Sequence, residues 1–377
     1  MTDPADREAD EVGADEVGAD GGPGDADEDR PGSGESWRER RRTPPGPTAP
    51  GERPGPPRDA AGYRAAPSPV ALGTSSVFPD TVAGSFDIAQ ELGYDGMEVI
   101  VTVDPASQDT AAIERVASRH ALTVESVHAP TLLLTQTVWS LDPWEKLRRS
   151  AEMAQVLGAP VVVVHPPFRW QKEYASRFGE GIAELGDAFG VTFAVENLYP
   201  WRVAGRTIQA YEPSHDPTGS AYPALTLDVS HASAAGSDCL AMARAMGDRL
   251  AHVHLTDGSG GTRDEHLLPG RGTQPVAELL RHLAAEEFAG AVVLEVSTTR
   301  APDRAARVAW LAEALAFARE HLVAPVTAGW TVTRDGVATV CGGADRLSGT
   351  ASRRSASRRS VGAGDDVRNG PTPTPTT

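Results

Sequence analysis

The residues with the clearest chemical potential stand at the ends of short apolar segments of the chain. Seven segments end in an acid or a histidine: Glu98, His128, His165, Glu196, Asp228, His254 and Glu295. A buried strand has no structural use for a terminal charge, because an unpaired charge in a protein interior is strongly destabilising. Four of these residues are acids, which would repel each other where the segments converge. Carboxylates and imidazoles together suit Mn²⁺, Zn²⁺, Mg²⁺ or Fe²⁺, so the pattern predicts a divalent metal site.

Polar residues just beyond two of these segments extend the candidate site. His231 follows Asp228 in the run DVSH, and the segment HLTDGSGGTRDEHLLPGRG offers Asp257, Asp264 and His266. Of these, His231, Asp264 and His266, like His128 and His165 before them, could bind substrate or further metal ions.

Other polar and aromatic residues have an open assignment. His252 is expected to be packed one layer deeper than His254, and Glu98 could orient a partner instead of facing the site. Four tryptophans follow the segments that end in His128, His165 and Glu196, and they could either line a pocket or simply pack: Trp139, Trp144, Trp170 and Trp201.

The elements that must position these residues alternate between short strands and longer amphipathic helices. Strands are predicted at residues 70–73, 96–99, 123–128, 161–165, 192–196, 224–228, 251–254 and 291–295. Helices are predicted at residues 86–92, 110–120, 142–157, 177–189, 239–246, 274–285 and 303–321. The helix at 142–157 has the clearest start, since Asp142 can cap it and Pro143 suits its first position.

Eight strand–helix units in this order predict a closed (β/α)₈ barrel, the TIM barrel. No G-x-G-x-x-G run follows the first strand, which removes the main reason to prefer an open dinucleotide-binding sheet. In a TIM barrel the carboxyl ends of the strands surround one mouth, where active sites are built. The strand-end acids and histidines are therefore expected to meet there.

Composition divides the chain into a barrel at residues 67–325 and two tails. Residues 1–66 carry the repeat ADEVGADEVGAD, an arginine run and a Pro/Gly-rich stretch, and residues 326–377 carry SRRSASRRS and PTPTPTT. Such segments bury too little apolar surface to offset their ordering entropy, so both tails are predicted to be disordered.

Charge and cysteine content restrict the partners and the compartment. The chain has a formal net charge of −17, and residues 67–325 hold 19 Lys and Arg against 32 Asp and Glu, a balance of −13. This acidity argues against nucleic acid as a partner. The chain has two cysteines, no signal-peptide core and no apolar run of the ~18 residues that a membrane span needs. These features predict a cytoplasmic protein outside the membrane. Oligomeric state is not indicated.

The strand-end motifs resemble the xylose-isomerase-like TIM-barrel superfamily. This group contains sugar and sugar-phosphate isomerases and epimerases, together with endonuclease-IV-type abasic-site nucleases. The resemblance covers roughly residues 70–322 and rests on eight motifs in order: GYDGMEV, SVHAP, LGAPVVVVHP, FAVEN, LDVSHASAAG, HVHLTD, DEHLLPGRG and VVLEV.

The resemblance to the epimerases implies one divalent ion held by Glu196, Asp228, His254 and Glu295. It also implies proton transfer next to a carbonyl through an enediolate, with Glu196 and Glu295 as the acid/base pair and His231 on a substrate hydroxyl. The expected substrate is a small sugar, sugar phosphate or polyol-derived ketone. One departure puts the substrate in question: family epimerases carry an arginine soon after the strand-seven histidine, and here the first arginine is Arg263.

The resemblance to the nucleases implies a different reaction, phosphodiester cleavage of abasic DNA. Those enzymes hold three Zn²⁺ with nine ligands, and all nine types have a counterpart here: His128, His165, Glu196, Asp228, His231, His254, Asp264, His266 and Glu295. The acidic charge and the run LYPWRVAGRT after the strand-five Glu–Asn pair depart from the nuclease pattern. A metal-dependent isomerase or epimerase is therefore the favoured expectation and the nuclease the alternative, with a lyase-like or dehydratase-like enzyme or a binding module behind them.

Overall fold

The computed structural model describes residues 63–203, 205–325, 330–332 and 338–340. The chain divides into Met1–Gly55 and Pro56–Thr377, and every described residue belongs to the second unit. The predicted disordered tails, 1–66 and 326–377, therefore lie almost entirely outside the described residues. Where the described part enters them, Tyr63–Ala65 pairs antiparallel with Val323–Pro325, and Trp330–Val332 pairs with Ala338–Val340.

Eight parallel strands close into a barrel, so the predicted fold is confirmed. Strands β1 to β8 are Val70–Gly73, Gly96–Ile100, Thr123–His128, Val161–Val164, Thr192–Glu196, Leu225–Asp228, Leu250–Leu255 and Ala291–Leu294. Each strand pairs with the next along the chain, and β8 closes the barrel on β1, with Val292 opposite Val70. Strands β4 and β8 each end one residue earlier than predicted, so His165 and Glu295 stand just past their strand ends.

Helices follow the strands and cover the outside of the barrel. Helices α1 to α8 are Val82–Leu92, Thr110–His120, Pro143–Leu157, Lys172–Phe189, Val229–Ala235, Cys239–Met246, Val276–Ala285 and Arg304–His321. Short 3₁₀ turns occupy Thr74–Val77, Pro105–Gln108, Leu133–Thr135 and Gly247–Arg249. Helix α4 begins earlier than predicted, and neither α5 nor the hairpin Trp201–Val203 and Arg206–Ile208 is among the predicted elements.

Local sequence signals fix the helix ends as expected. The Asp142 side chain accepts a hydrogen bond from the Trp144 backbone N–H at 2.9 Å, which satisfies a donor that the first turn of α3 cannot. Asp303 does the same for α8 through Ala306. Helix α3 ends at Gly158, whose φ of 72° lies in the left-handed region that glycine adopts without strain.

The core lies between the barrel wall and the helices. All four valines of β4 are buried, because a parallel strand has one face against the barrel interior and the other against a helix. Buried side chains from β1, β5 and α1, among them Leu72, Val195 and Phe86, belong to the same apolar cluster. Among the described helices, none is both long enough and apolar enough to cross a membrane.

Candidate active site at the carboxyl ends of the strands

Three carboxylates meet around one imidazole nitrogen at the mouth of the barrel. His254 Nδ1 lies 2.8 Å from Glu295 Oε2, 3.0 Å from Glu196 Oε1 and 3.5 Å from Asp228 Oδ2. Strands β5 to β8 bring these four residues together, because each residue stands at or next to the carboxyl end of its own strand. One ligand atom from each of the four lies within 4.8 Å of the others, a spacing that could hold a metal ion.

The donor set fits a divalent cation. Asp228 uses Oδ1 to accept a hydrogen bond from the His231 backbone N–H at 2.7 Å. Its other oxygen, Oδ2, is buried and accepts no hydrogen bond from any described residue. Three carboxylates and one imidazole around a buried, unpaired oxygen are the ligand types that Mn²⁺, Zn²⁺ or Fe²⁺ binds.

Opposite charges favour the ionised forms of two members of this group, His254 and Glu196. Burial disfavours the charge on His254, but Glu98, Glu295 and their neighbours outweigh it and raise its pKa well above the usual value. Burial likewise raises the pKa of Glu196, but His254 and His165 outweigh that effect and hold its pKa well below the usual value. The electrostatics of the site therefore depend on close pairing of carboxylate and imidazole.

Glu196 joins the four-residue group to a second one. Its Oε2 lies 2.9 Å from His165 Nε2 and 3.2 Å from His128 Nε2, while its Oε1 faces His254. The second imidazole nitrogen of His165, Nδ1, is buried without a hydrogen-bond partner among the described residues. His128, His165 and Glu196 could also hold a metal ion. Glu196 could therefore be a ligand at two neighbouring metal positions.

A third group forms beside Asp228. Asp228 caps α5, and this turn of helix places His231 over the strand end, with its Nε2 3.2 Å from Asp264 Oδ2. His266 Nε2 lies 2.9 Å from the same oxygen. His266 also has a φ of 44°, a backbone conformation that is strained for a residue with a side chain and that clusters at functional sites. Asp228, His231 and His266 could again hold a metal ion.

Asp257 has a structural part in the loop after β7. Its side chain accepts hydrogen bonds from the backbone N–H groups of Gly258, Gly270, Gly272 and Gln274, at 2.8 to 3.1 Å. A Cβ at Gly272 would lie 2.3 Å from Asp257 Oδ1, so this turn requires glycine. Asp257 therefore holds the loop that carries Asp264 and His266.

Glu98 and His252 lie in a layer below the mouth. His252 Nε2 is 2.8 Å from Glu98 Oε2, and the Ser126 hydroxyl donates to that oxygen at 2.5 Å. Glu98 Oε1 comes within 3.0 Å of His254 Nε2, although without hydrogen-bond geometry. Burial raises the pKa of Glu98, but His254 and His252 outweigh it and hold that pKa well below the usual value. All of these side chains are fully buried.

The mouth groups border a cavity of about 180 Å³. Seven of the nine predicted site residues line it, while Asp228 and His254 lie buried behind them. Two lining tyrosines, Tyr199 and Tyr211, are absent from the sequence-based site. Burial raises the pKa of Tyr199 to about 12, so its hydroxyl stays a hydrogen-bond donor.

Asn197 is a further residue that the sequence-based site lacks. Its side-chain amide donates to the Asp228 carbonyl at 2.9 Å and accepts from the Asp228 N–H at 2.8 Å, and its own carbonyl lies 2.9 Å from His231 Nδ1. Its place directly after Glu196 is the signal that could have identified it. Tyr211 had no such signal, because it lies in the loop that follows the hairpin, far from the end of any barrel strand.

The four tryptophans after β3 to β5 divide between packing and pocket lining. Trp139 and Trp144 pack against the main core. Trp201 packs beside Phe168, and Trp170 stacks on Phe168 with ring centroids 4.5 Å apart. Trp170 also lines a second cavity beside the one at the mouth of the barrel.

Comparison with known families extends the sequence resemblance. A model of the family described as "Xylose isomerase-like TIM barrel" matches residues 86–321. An uncharacterised protein of Mycobacterium tuberculosis is 46% identical over 273 residues, which cover 67% of this chain and 98% of that protein. A fructoselysine 3-epimerase of Escherichia coli O157:H7 is 22% identical over 240 residues, which cover 57% of this chain and 85% of that protein.

Solved structures share the fold at low sequence identity. A 3-keto-D-glucoside 4-epimerase from Escherichia coli superposes with a TM-score of 0.52 at 17% identity, covering 67% of this chain and 99% of that one. A xylose isomerase domain protein from Alicyclobacillus acidocaldarius has a TM-score of 0.51 at 22% identity, covering 67% and 99%. At these identities the likeness establishes the fold alone.

Proposed function

The chain belongs to the xylose isomerase-like TIM-barrel family, and from that premise we propose that it is a divalent-metal-dependent isomerase or epimerase. Its substrate would be a small sugar, sugar phosphate or polyol-derived ketone. The observation that carries the proposal is the approach of Glu196 and Glu295 to the same point at His254 Nδ1, 3.0 and 2.8 Å away, beside a cavity. The distant relationship to a fructoselysine 3-epimerase, itself a sugar epimerase by name, supports the same class.

Four residues would hold the metal ion: Glu196, Asp228, His254 and Glu295. A bound divalent cation would polarise the carbonyl and hydroxyl oxygens of a sugar and stabilise negative charge on them. Asn197 holds the Asp228 backbone through two hydrogen bonds, so the ligand geometry is supported from behind.

The two glutamates are placed to move a proton. One carboxylate would take the proton from the carbon next to the substrate carbonyl, which leaves an enediolate, and the other would return a proton to that or the adjacent carbon. Glu196 and Glu295 come from non-adjacent strands, β5 and the end of β8, so they border the cavity from different sides. His231, which also lines the cavity, would bind a substrate hydroxyl.

Solvent deuterium exchange tests this proposal directly. The Mn²⁺-loaded protein is incubated in D₂O with a panel of ketohexoses, their phosphates and inositol ketones, and the products are examined by NMR. Epimerisation through proton transfer places deuterium on the carbon next to the carbonyl. Glu295→Gln should abolish both exchange and turnover, whereas Glu313→Gln, an exposed residue of α8, should have no effect. Undiminished turnover in Glu295→Gln would sink the assignment.

The second candidate is the metal-dependent phosphodiesterase acting on abasic DNA. Three possible metal-binding groups around the mouth favour it. The first is Glu196, Asp228, His254 and Glu295, the second is His128, His165 and Glu196, and the third is Asp228, His231 and His266. The acidic balance of −13 over residues 67–325 opposes it, because DNA contacts require basic surface. Incubation with an abasic-site duplex and Zn²⁺ tests this candidate, which predicts cleavage of the duplex. Metal analysis is a second test: three tightly held Zn²⁺ per chain would favour the nuclease, and one ion would favour the epimerase.

The domain boundaries and the compartment remain parts of this proposal. We place the catalytic unit at residues 67–325, flanked by disordered tails, and the protein in the reducing cytoplasm, where its two cysteines would stay unpaired. Limited proteolysis followed by mass spectrometry checks the boundaries, since cleavage should stop near residues 67 and 325 and leave a fragment that retains activity.

A further inference from the structure

A second cavity lies directly beside the catalytic one. It has a volume of about 260 Å³, against about 180 Å³ for the catalytic cavity, and the two share Pro130, Leu132 and His165 as lining residues. His165 is thus a wall between them. One cavity alone is smaller than most ligand pockets, whereas the two together fall within the range of ~300–1,000 Å³ found for such sites.

Two residues that line the second cavity each carry a buried polar atom without a partner among the described residues. One is the hydroxyl of Tyr174, a residue that is only 7% exposed, and the other is His165 Nδ1. His165 already uses Nε2 toward Glu196, so its second nitrogen is available to another group. A buried polar group without a hydrogen bond is destabilising, so each of these atoms would gain from a hydrogen bond to a bound polar ligand.

The Tyr174 side chain is fixed in place rather than free to turn toward other partners. Its ring packs edge-on against Trp144, with centroids 4.8 Å apart, and against Phe178 at 5.3 Å. Burial also raises the pKa of its hydroxyl, which therefore remains protonated and can donate a hydrogen bond.

The remaining walls combine an aromatic face with apolar and neutral polar groups. Trp170 stacks on Phe168 at an interplanar angle of 5° and also contacts the tilted ring of Trp201, yet it is 53% exposed, so part of its indole surface is free to contact a ligand. Prolines and leucines supply apolar surface, and none of the described residues that line the cavity is acidic. The Lys146 ammonium is buried and donates to the carbonyls of Pro130 and Thr135. A ligand that combines hydroxyl groups with an apolar C–H face would match these walls.

We propose that this cavity is a subsite for a second sugar ring. The substrate would then be a ketose that carries a glycosyl substituent rather than a free hexose. The reacting ketose would lie at Glu196 and Glu295, and the second ring would lie beyond His165, with its hydroxyls on Tyr174 and His165 and its C–H face on Trp170. This inference rests on the proposed sugar-active function and names the substrate class of the same site.

Calorimetric binding to the Mn²⁺-loaded full-length protein tests the subsite. The probes are D-fructose, which has one ring, and the glucosyl-fructoses palatinose and maltulose, which have two. The wild type should bind the better disaccharide at least tenfold more tightly than D-fructose. Trp170→Ala should lower that ratio about tenfold and Tyr174→Phe several-fold, while Trp170→Phe should retain most of it. Tyr222→Phe, which removes a hydroxyl from a tyrosine that lines neither cavity, should leave the ratio unchanged.

The possible outcomes separate the subsite from the proposed reaction. Equal affinity for one-ring and two-ring sugars, or a ratio that Trp170→Ala does not change, overturns the subsite even if D-fructose is epimerised. Tighter binding of D-fructose 6-phosphate than of either disaccharide also overturns it, because the cavity would then receive an anion near Lys146. Trp170-dependent disaccharide binding without deuterium exchange supports the subsite and removes the epimerase proposal. No binding of any of these sugars removes both.

Discussion

Two clusters of acids and histidines meet on opposite edges of the His254 ring, and they have different surroundings. The mouth cluster lies around Nδ1 and comprises Glu196, Asp228 and Glu295. The interior cluster lies on the Nε2 side and comprises Glu98, Ser126 and His252. The two clusters are thus separated by the His254 ring. The mouth cluster lies beside a cavity, and the interior cluster is sealed inside the barrel.

The difference lies in the ratio of acids to donors and in access. In the interior cluster one carboxylate serves two imidazoles and a hydroxyl, and all of these side chains are fully buried. In the mouth cluster three carboxylates compete for one nitrogen, and Asp228 Oδ2 has no hydrogen bond from the part of the chain that the structure describes. Removing one partner from the closed interior cluster leaves buried charge uncompensated and should destabilise the fold, whereas the mouth cluster, with surplus carboxylates beside a cavity, can receive a cation or a substrate. Substitutions in the two clusters should therefore have different consequences.

The largest expected effect is the loss of turnover when the mouth cluster loses its bridging acid. Glu196→Gln should lower turnover of the identified substrate by about 10³-fold or more, because Glu196 is both an acid/base group and a candidate metal ligand. Steady-state kinetics with saturating Mn²⁺ measures this. Glu278→Gln, on the exposed face of α7, is the matched control and should retain full turnover. A turnover loss of less than tenfold in Glu196→Gln would mean that the mouth cluster does not perform the chemistry.

The next effect concerns stability and should be larger in the interior cluster. Glu98→Ala should lower the free energy of unfolding by about 3–5 kcal/mol, since it leaves the buried imidazoles of His252 and His254 without their carboxylate. Glu295→Ala should cost clearly less in the metal-free protein, because the Glu295 side chain is 15% exposed and His254 Nδ1 keeps Glu196 beside it. Urea denaturation followed by circular dichroism measures both. Equal losses for the two variants would erase the distinction between the clusters.

The sequence predicts which residues belong to the strand ends but not how deep each one lies. Glu98 was grouped with the strand-end residues, yet it is the third residue of β2, and it pairs with Gly73 and Ser126 while Ile100 pairs with His128. Glu98 therefore lies one layer below His128. The stagger between neighbouring strands sets this depth, and alternation of apolar and polar residues along one strand carries no information about its register against the next.

Loop residues mark the other limit of the sequence-based prediction. The alternation of strands and helices indicates the barrel, and the strand ends indicate six of the nine candidate ligands, because both follow from periodic patterns. The other three were found in the runs just beyond the strand ends: His231, Asp264 and His266. Tyr211 and Tyr174 reach their cavities from a loop and from the first turn of α4, where long-range packing decides which way they face. Asp257 was considered for the site, and only the hydrogen bonds of the folded loop show that it holds backbone N–H groups instead.

A smaller effect should connect the two clusters through His254. Glu98→Gln should weaken Mn²⁺ binding at the mouth about 10–100-fold, as is typical when the group behind a metal-binding histidine is changed. Calorimetric titration of the metal-free protein with Mn²⁺ measures this without any need for turnover. Glu125 is a half-buried residue of β3 that lies beside Gly96, and Glu125→Gln is the control, which should bind Mn²⁺ normally. Unchanged affinity in Glu98→Gln would show that the interior cluster contributes to stability alone.

The smallest expected effect comes from the hydroxyl of the interior cluster. Ser126→Ala removes one hydrogen bond to Glu98 Oε2, and that oxygen keeps His252 at 2.8 Å, so the loss in unfolding free energy should be about 1 kcal/mol. Ser150→Ala is a suitable control, since this buried serine of α3 bonds only the Lys146 carbonyl one turn earlier, and alanine favours the helix. It should change stability less than Ser126→Ala. If Ser126→Ala costs as much as Glu98→Ala, the hydroxyl rather than the carboxylate would be the group that holds the two histidines together.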